Sequence, residues 1–267
     1  MIEPKHNPLG TITQLLDPYA RQARLYPALI VICPIALLII VWFPALWTTL
    51  GTVASVASSF GLALLLAQVA RDRGKRLESS LYDSWGGKPS VALLRHRDSR
   101  IDEHTKSRYR GFLHGQLPEL KLPTAEEEGA DPEAADRAYQ SVTAWLLTQT
   151  RDTKRFSILF RENISFGFRR NLWGLKPLGI AVTLTAACAS TAAITYRYWA
   201  EHGPPPPPEV MIVTAAVWLL LLVWVAVITR DWVRIPADAY GTQLLAACDT
   251  LGRSQSVQPR TRRKVKK

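Results

Sequence analysis

The sequence predicts an all-α, polytopic membrane protein in which four transmembrane helices, arranged as two hairpins, flank a helical cytoplasmic domain. Three observations predict this fold class. Hydrophobic residues make up 48% of the 267-residue chain and are bunched into four runs. Each run approaches the roughly 20 residues that a helix needs to cross a bilayer. The runs contain no Asp, Glu or Lys, and their only Arg is Arg197, at one edge.

The four runs set the boundaries of the predicted segments. The runs are Tyr26–Leu46, Leu50–Ala70, Leu178–Tyr198 and Val210–Thr229. The predicted segments are a cytoplasmic N-terminal segment (1–25), transmembrane hairpin 1 (26–70), a basic helical cytoplasmic domain (71–176), transmembrane hairpin 2 (177–229) and an amphipathic, basic cytoplasmic tail (230–267). Because Lys and Arg are enriched in cytoplasmic loops, this order places both termini on the cytoplasmic side of a bacterial inner membrane.

Small and hydroxylated residues recur every four positions in two of the runs. The second run has Gly51, Ser55, Ser59, Ala63 and Ala67, and the third has Gly179, Thr183, Ala187, Thr191 and Thr195. Such rows allow another helix to approach closely. The same faces can also line a narrow pore in a homo-oligomer. Ser55, Ser59, Thr183 and Thr191 are therefore candidates for either helix packing or a pore.

The densest basic stretch of the predicted domain is a candidate ligand site. Its cations are Arg95, Arg97, Arg100, Lys106, Arg108 and Arg110, and Tyr109 and Phe112 are interleaved with them. Guanidinium groups pair with phosphates and aromatic faces stack on bases, so the mixture is typical of a site for a nucleotide or single-stranded nucleic acid. Contact with solvent or anionic lipid remains the alternative, because Asp98, Asp102 and Glu103 neutralise part of the charge.

A third candidate site is the joint where the soluble segment meets the third run. Arg169, Arg170 and Lys176 can bind lipid phosphates, and Trp173 suits the headgroup boundary. Two interpretations stay open for these residues. They form either an ordinary anchor of a transmembrane helix to membrane lipids or a coupler that transmits a signal from the domain to the membrane.

Catalytic and metal-binding constellations are not evident in the sequence. We find no paired Ser/His/Asp context, no metal-ligand spacing and no phosphate loop, so we expect neither an enzyme nor a cofactor. Cys33, Cys188 and Cys248 form no close pair and suggest no disulfide framework.

The layout of two hairpins around a basic helical domain, with Arg161–Gly179 leading into the second hairpin, resembles the membrane effector subunits of bacterial anti-phage defence systems. It is similar in particular to the Hailong membrane component, over most of the chain and at the level of architecture. The resemblance implies an oligomeric channel that a nucleic-acid product of a partner nucleotidyltransferase keeps closed and that opens when this product is lost. The alternative is a non-conducting membrane scaffold whose cytoplasmic domain binds a partner protein or nucleic acid.

Overall fold

The structure is a computed structural model that describes residues 17–44, 49–200 and 202–257, without the side chains of residues 49–60 and 254–257. This described part is mostly helical and contains no strand, so the all-α prediction is confirmed for it. Its α-helices of four residues or more are α1 (Tyr26–Trp42), α2 (Thr49–Arg76), α3 (Glu78–Ser84), α4 (Pro89–Ala92), α5 (Glu103–Gln116), α6 (Ala125–Ala130), α7 (Pro132–Gln149), α8 (Ser157–Thr195), α9 (Pro208–Ala226) and α10 (Arg230–Val257). Predictions for residues 1–16, for the side chains of Ser55 and Ser59, and for the tail 258–267 lie outside the description.

The chain divides into two compact units. Unit 1 comprises Met1–Ser79 and Ile164–Arg234, and unit 2 comprises Ser80–Asn163 and Ile235–Lys267. These bounds differ from the predicted cytoplasmic domain, residues 71–176. Residues 71–79 and 164–176 belong to unit 1 because they pack among its apolar helices, and most of α10 belongs to unit 2.

Three helices of the described residues are long and apolar enough to cross a membrane. They are α1 with the turns that precede it (Pro18–Trp42), α8 with the π-helical turn that follows it (Ser157–Ala200), and α9 (Pro208–Ala226). The fourth predicted span, Leu50–Ala70, lies within α2 but begins among residues whose side chains are not described. Three candidate spans are therefore found where the sequence predicts four.

Two hydrogen bonds fix the register of α1 against α8. At one end, Asn171 Nδ2 donates to the Ala23 carbonyl at 2.7 Å, and at the other, Trp42 Nε1 donates to Ser190 Oγ at 3.1 Å. Each bond joins residues 148 positions apart, so the two helices run parallel and keep the same register from one bond to the other. The bonds are separated by 19 residues on each helix, which corresponds to about 28 Å of helix.

Helices α2 and α9 run in the opposite direction to α8. Along α9, Thr214 contacts Ser190 while Ile228, just past its end, contacts Lys176. Along α2, Gly74 lies against Asn171 and Leu66 lies in a groove with Leu178. The beginning of α1, the ends of α2 and α9, and the Asn171 region of α8 consequently meet at the same end of unit 1.

Unit 2 is built from shorter amphipathic helices whose starts are capped by side chains. Asp102 caps α5 by accepting from Thr105 N at 2.8 Å, and Asp131 caps α7 by accepting from Ala134 N at 2.9 Å. Thr124 and Glu127 form a reciprocal capping box on α6. The largest apolar cluster among the described residues of this unit contains Leu93, Leu94, Leu113, Tyr139, Val142, Leu146, Leu159, Leu244 and Leu245.

Candidate functional site: a polar layer in unit 1 and an ion-pair network in unit 2

A buried asparagine is the centre of the polar layer in unit 1. Asn171 is fully buried on α8, donates to the Ala23 carbonyl, and accepts from Arg170 Nε at 3.3 Å through Oδ1. Gly74 makes room for it, because a Cβ at Gly74 would overlap Asn171 Oδ1. A buried amide keeps its place only when it is hydrogen-bonded. Asn171 thus ties α8 to the turn before α1 and requires glycine on α2.

Arg170 extends this layer to α3. Its Nη1 donates to Glu78 Oε1 at 3.2 Å, and its guanidinium lies 5.5 Å from the Phe166 ring centroid. The side chains of Arg170 and Glu78 are only 10% and 13% exposed. Glu78 also pairs with Lys75 at the end of α2. A shielded pair of this kind is costly to break, because removing one partner leaves a buried charge uncompensated.

Arg169 and Lys176 contact backbone carbonyls near the end of α9 and the start of α10. Arg169 Nη1 donates to the Trp232 carbonyl at 2.8 Å, and its guanidinium lies 4.6 Å from the Trp232 ring centroid. Lys176 Nζ donates to the Ile228 carbonyl at 2.7 Å and lies 5.2 Å from the Trp173 ring centroid. Lys176 suits its position just past the end of α9, because the last carbonyls of a helix carry partial negative charge. All four predicted coupling residues, Arg169, Arg170, Trp173 and Lys176, therefore make contacts inside unit 1.

Hydroxyl groups of α8 bond within unit 1. Ser190 Oγ lies 2.6 Å from Thr214 Oγ1 of α9, and Thr191 Oγ1 accepts from Trp218 Nε1 at 3.1 Å. Thr191 also donates to its own helix, at the Ala187 carbonyl. Thr183 is fully buried, and its hydroxyl has no hydrogen-bond partner among the described residues. The structure thus places the two pore candidates that it describes, Thr183 and Thr191, at helix contacts of one chain.

In unit 2, Arg95 forms an ion pair with Asp136 through two parallel hydrogen bonds. Its Nε and Nη2 donate to the two carboxylate oxygens of Asp136 at 2.8 and 2.6 Å, and its Nη1 donates to the Gly86 carbonyl at 2.7 Å. The hydrogen bond to Asp136 raises the pKa of Arg95. Gly86 and Gly87 have φ of 78° and 127°, a region that favours glycine, so this turn can present its carbonyl to Arg95.

The other arginines of this stretch also find carboxylates in their own unit. Arg100 pairs with Asp98 at 2.7 Å and Asp238 at 2.8 Å, and Arg108 pairs with Asp249 at 2.8 Å. Arg110 pairs with Glu103 at 3.4 Å and Arg97 with Glu128 at 3.9 Å. Arg97 and Arg108 keep 55% of their side chains exposed, whereas Arg95 and Arg110 keep 12% and 11%.

Lys106 is buried among backbone carbonyls. Its side chain is fully buried, and its Nζ donates to the Arg95 carbonyl at 2.9 Å and to the Asp98 carbonyl. Burial lowers the pKa of Lys106. This residue therefore supports the loop between α4 and α5 and does not present its charge to solvent.

Glu128 is the buried acid of unit 2. It accepts from His96 N at 2.7 Å, from Arg97 N at 3.4 Å and from the Tyr139 hydroxyl at 2.8 Å. Burial alone would raise the pKa of Glu128, but these hydrogen bonds outweigh burial and lower it. Burial and the hydrogen bond to Glu128 raise the pKa of Tyr139. The carboxylate consequently anchors the loop after α4 to α6 and α7.

The positive charge of the chain is unevenly distributed along the sequence. Unit 2 has 13 Lys/Arg and 13 Asp/Glu between Ser80 and Asn163, and Ile235–Arg253 adds one Arg and two Asp. Residues 17–79 and 164–234 of unit 1 carry 12 Lys/Arg against 6 Asp/Glu, and residues 258–267 add 6 Lys/Arg. The positive excess of the chain therefore lies with the apolar helices and the tail, and not with the helical domain.

The sequence alone does not identify the carboxylate and amide groups that the arginines of the two units contact. Asp136, Glu128 and Glu78 are separated from their arginine partners by 31 to 92 positions. No spacing rule connects residues so far apart. No family model, curated protein or solved structure matches this chain.

Proposed function

We propose that this chain crosses an inner membrane four times, as two helix hairpins, and carries a helical domain on the cytoplasmic side. The support is the register of α1 and α8, since the bonds at Ala23–Asn171 and Trp42–Ser190 are about 28 Å apart, close to the thickness of the hydrocarbon core of about 30 Å. The alternating directions of α1, α2, α8 and α9 suit two hairpins. The positive excess at the Asn171 end of unit 1 supports a cytoplasmic location for that end and for both termini.

The function that these observations favour is a non-conducting membrane scaffold that binds a partner protein through its helical domain. One observation carries this choice: the six cations proposed for a nucleotide or oligonucleotide all contact acceptors of their own chain. An oligonucleotide would have to displace Asp136, Asp98, Asp249 or backbone carbonyls to reach most of them. Residues 80–163 and 235–253 of unit 2 carry 14 Lys/Arg against 15 Asp/Glu, so the helical part of this unit gives weak electrostatic attraction for nucleic acid.

Conductance of the full chain in planar bilayers, with and without short single-stranded DNA, tests this proposal. A scaffold gives silent membranes under both conditions, although the protein is inserted. Discrete currents that the oligonucleotide suppresses would overturn the scaffold and support a ligand-gated channel. Extraction of the same membranes at alkaline pH shows separately whether the chain is inserted, so a silent membrane cannot be confused with missing protein.

Oligonucleotide binding gives a second test, and the structure determines which variants are informative. Arg97 and Arg108 have the most exposed side chains among the arginines of the basic stretch, so Arg97→Gln with Arg108→Gln removes two accessible charges and leaves the pairs of Arg95 and Arg110 intact. Replacing Arg95, Arg97 and Arg100 by Glu would also break the pairs to Asp136 and Asp238 and disturb folding. We expect binding of wild type to be weak and lost at physiological salt. Tight binding that the double variant abolishes would contradict the scaffold.

An oligomeric channel of anti-phage defence, as the architectural resemblance implies, is the second candidate. One observation favours it: Thr185, Cys188 and Thr195 form a small, hydroxyl-bearing row on the exposed side of α8, available to a second copy. Maleimide crosslinking through Cys188, with Cys33→Ala to remove the other exposed thiol of unit 1, tests this contact. Crosslinked dimers together with conductance would favour the channel, and monomers would count against it.

A further inference from the structure

An open apolar groove runs between α1, α2 and α8 in unit 1. Its volume is about 390 Å³, and its walls include Val31, Ile35 and Ala36 of α1 and Leu62 and Leu66 of α2. Leu178 and Val182 of α8 close its third side. No charged side chain lines it. In water such a surface would be unfavourable, but an acyl chain can occupy it without cost.

A cation lies on the same face of α2 as the groove. Leu62, Leu66, Val69 and Arg73 follow one another at four, three and four residues, so they share one side of the helix. Arg73 is exposed and has no ion pair within the described part of the chain. Arg71, two positions earlier, lies on the opposite side of α2, and its side chain is also exposed.

The depth of Arg73 relative to the groove matches the geometry of a lipid. Gly74, its neighbour, packs against Asn171 in the polar layer, which we place at the headgroup level. Leu66 and Leu62 lie 7 and 11 residues before Arg73, or about 10 and 16 Å further along the helix. A phosphate at Arg73 would therefore have its acyl chain beginning at the groove.

We propose that unit 1 binds a glycerophospholipid with an anionic headgroup, its acyl chain in the groove between α1, α2 and α8 and its phosphate on Arg73. This site rests on the proposed membrane insertion and extends it with a ligand class. Arg169, Arg170 and Lys176 contact acceptors of their own unit, whereas the Arg73 side chain is exposed on the groove side of α2. A guanidinium such as that of Arg73 can pair with a phosphate through two parallel hydrogen bonds.

Native mass spectrometry of the full chain, released from nanodiscs of equimolar phosphatidylglycerol and phosphatidylcholine, measures which lipid is retained. Wild type retains phosphatidylglycerol in preference to phosphatidylcholine. Arg73→Gln lowers this preference about fivefold, the effect of one cation at a lipid surface. Arg71→Gln removes the same charge within about 3 Å of the same depth but on the opposite face, and it leaves the preference unchanged. Equal effects of the two variants would show that the positive surface as a whole attracts the anionic lipid, and they would overturn the site at Arg73.

A second pair of variants tests the groove without changing charge. Ala36→Trp fills the groove and removes the retained lipid, whereas Ile40→Trp, on an exposed part of α1 outside the groove, does not. Unaltered retention in Ala36→Trp would overturn the acyl position. A change of oligomer mass in Ala36→Trp would assign the groove to a second copy of the chain instead, which also overturns the lipid site.

Soluble competitors and an insertion control complete the experiment. Short single-stranded DNA, added at equal phosphate concentration, leaves retention unchanged if the acyl chain contributes to binding; displacement of the lipid would assign Arg73 to nucleic acid. Resistance of each variant to alkaline extraction reports insertion alone. Extractable protein contradicts the proposed function, while inserted protein that retains no phosphatidylglycerol contradicts only the lipid site.

Discussion

Gly74 of α2 and Gly174 of α8 lie in backbone contact. A Cβ added at Gly174 would come within 2.7 Å of the Gly74 nitrogen and 3.1 Å of its Cα. Neither glycine is needed to form a turn, since both residues lie inside helices. The requirement for glycine comes from the neighbouring helix, and it brings α2 close enough to α8 for Asn171 to sit against Gly74.

We therefore expect Gly174→Ala to destabilise unit 1. The new methyl group meets backbone atoms, which cannot rotate away, so the helices must separate at a cost of about 1 to 3 kcal/mol. Thermal unfolding of the full chain in detergent measures the loss. Gly61→Ala is the matched control, because a Cβ at Gly61 meets no atom within 4 Å and alanine favours the helix. Equal stability of the two variants would refute the close crossing.

The ion pair between Arg170 and Glu78 should be strongly coupled. Because both side chains are largely shielded, Glu78→Gln or Arg170→Gln alone leaves a charge without its partner and costs about 3 kcal/mol. The double variant should lose less than the sum, with a coupling energy of about 1 to 3 kcal/mol. Lys75→Gln is the control, since Lys75 pairs with the same carboxylate from an exposed position. Additive losses would show that the pair is not formed.

The buried carboxylate of Glu128 should make the stability of unit 2 depend on pH. Its pKa is lowered in the folded chain, so its stabilisation is present above the pKa of the unfolded chain, about 4.3, and is lost as pH falls through the folded value. At neutral pH, Glu128→Gln should cost about 2 kcal/mol, because the amide that replaces the carboxylate offers a single acceptor oxygen to the donors that Glu128 now satisfies. The difference from wild type should shrink as pH falls below about 4.5.

Hydrogen exchange in α6 and α7, followed against pH, measures this difference. Glu126→Gln is the control, since Glu126 is exposed on the same helix. Its small effect should not vary with pH. A gap between wild type and Glu128→Gln that stays constant from neutral to acidic pH would show that Glu128 is not held as a carboxylate.

Arg95→Lys should destabilise unit 2 despite keeping the charge. Lysine cannot reproduce the two parallel hydrogen bonds to Asp136 and the third to the Gly86 carbonyl, so we expect a loss of about 1 to 2 kcal/mol. Arg108→Lys, at an exposed pair, should have a much smaller effect. Denaturant unfolding of the full chain, followed by the fluorescence of tryptophans, compares the two. Equal losses would show that the Arg95 geometry adds nothing beyond charge.

The sequence predicts where the main helices lie, but it does not predict which residues of different helices contact one another. The Asp131–Pro132 start of α7 and the apolar runs of α1, α8 and α9 are local signals, and the structure has helices there. For the basic stretch Arg95–Arg110, the sequence offers only the composition of the stretch itself. Its acids include Asp136, Asp238 and Asp249, which come from later helices, so their proximity could not be inferred from spacing.

The division into apolar and charged segments follows from the sequence alone, since hydrophobicity and chain length decide whether a helix can cross a bilayer. Which cations remain accessible depends on how the helices pack. The packing places Arg169, Arg170 and Lys176 against acceptors inside unit 1, and it leaves Arg73 exposed beside an apolar groove. The physical reason is that a cation interacts with the acceptor groups that lie within a few ångströms of it in the folded chain. Packing decides which groups these are, because it brings together residues that are far apart in the chain.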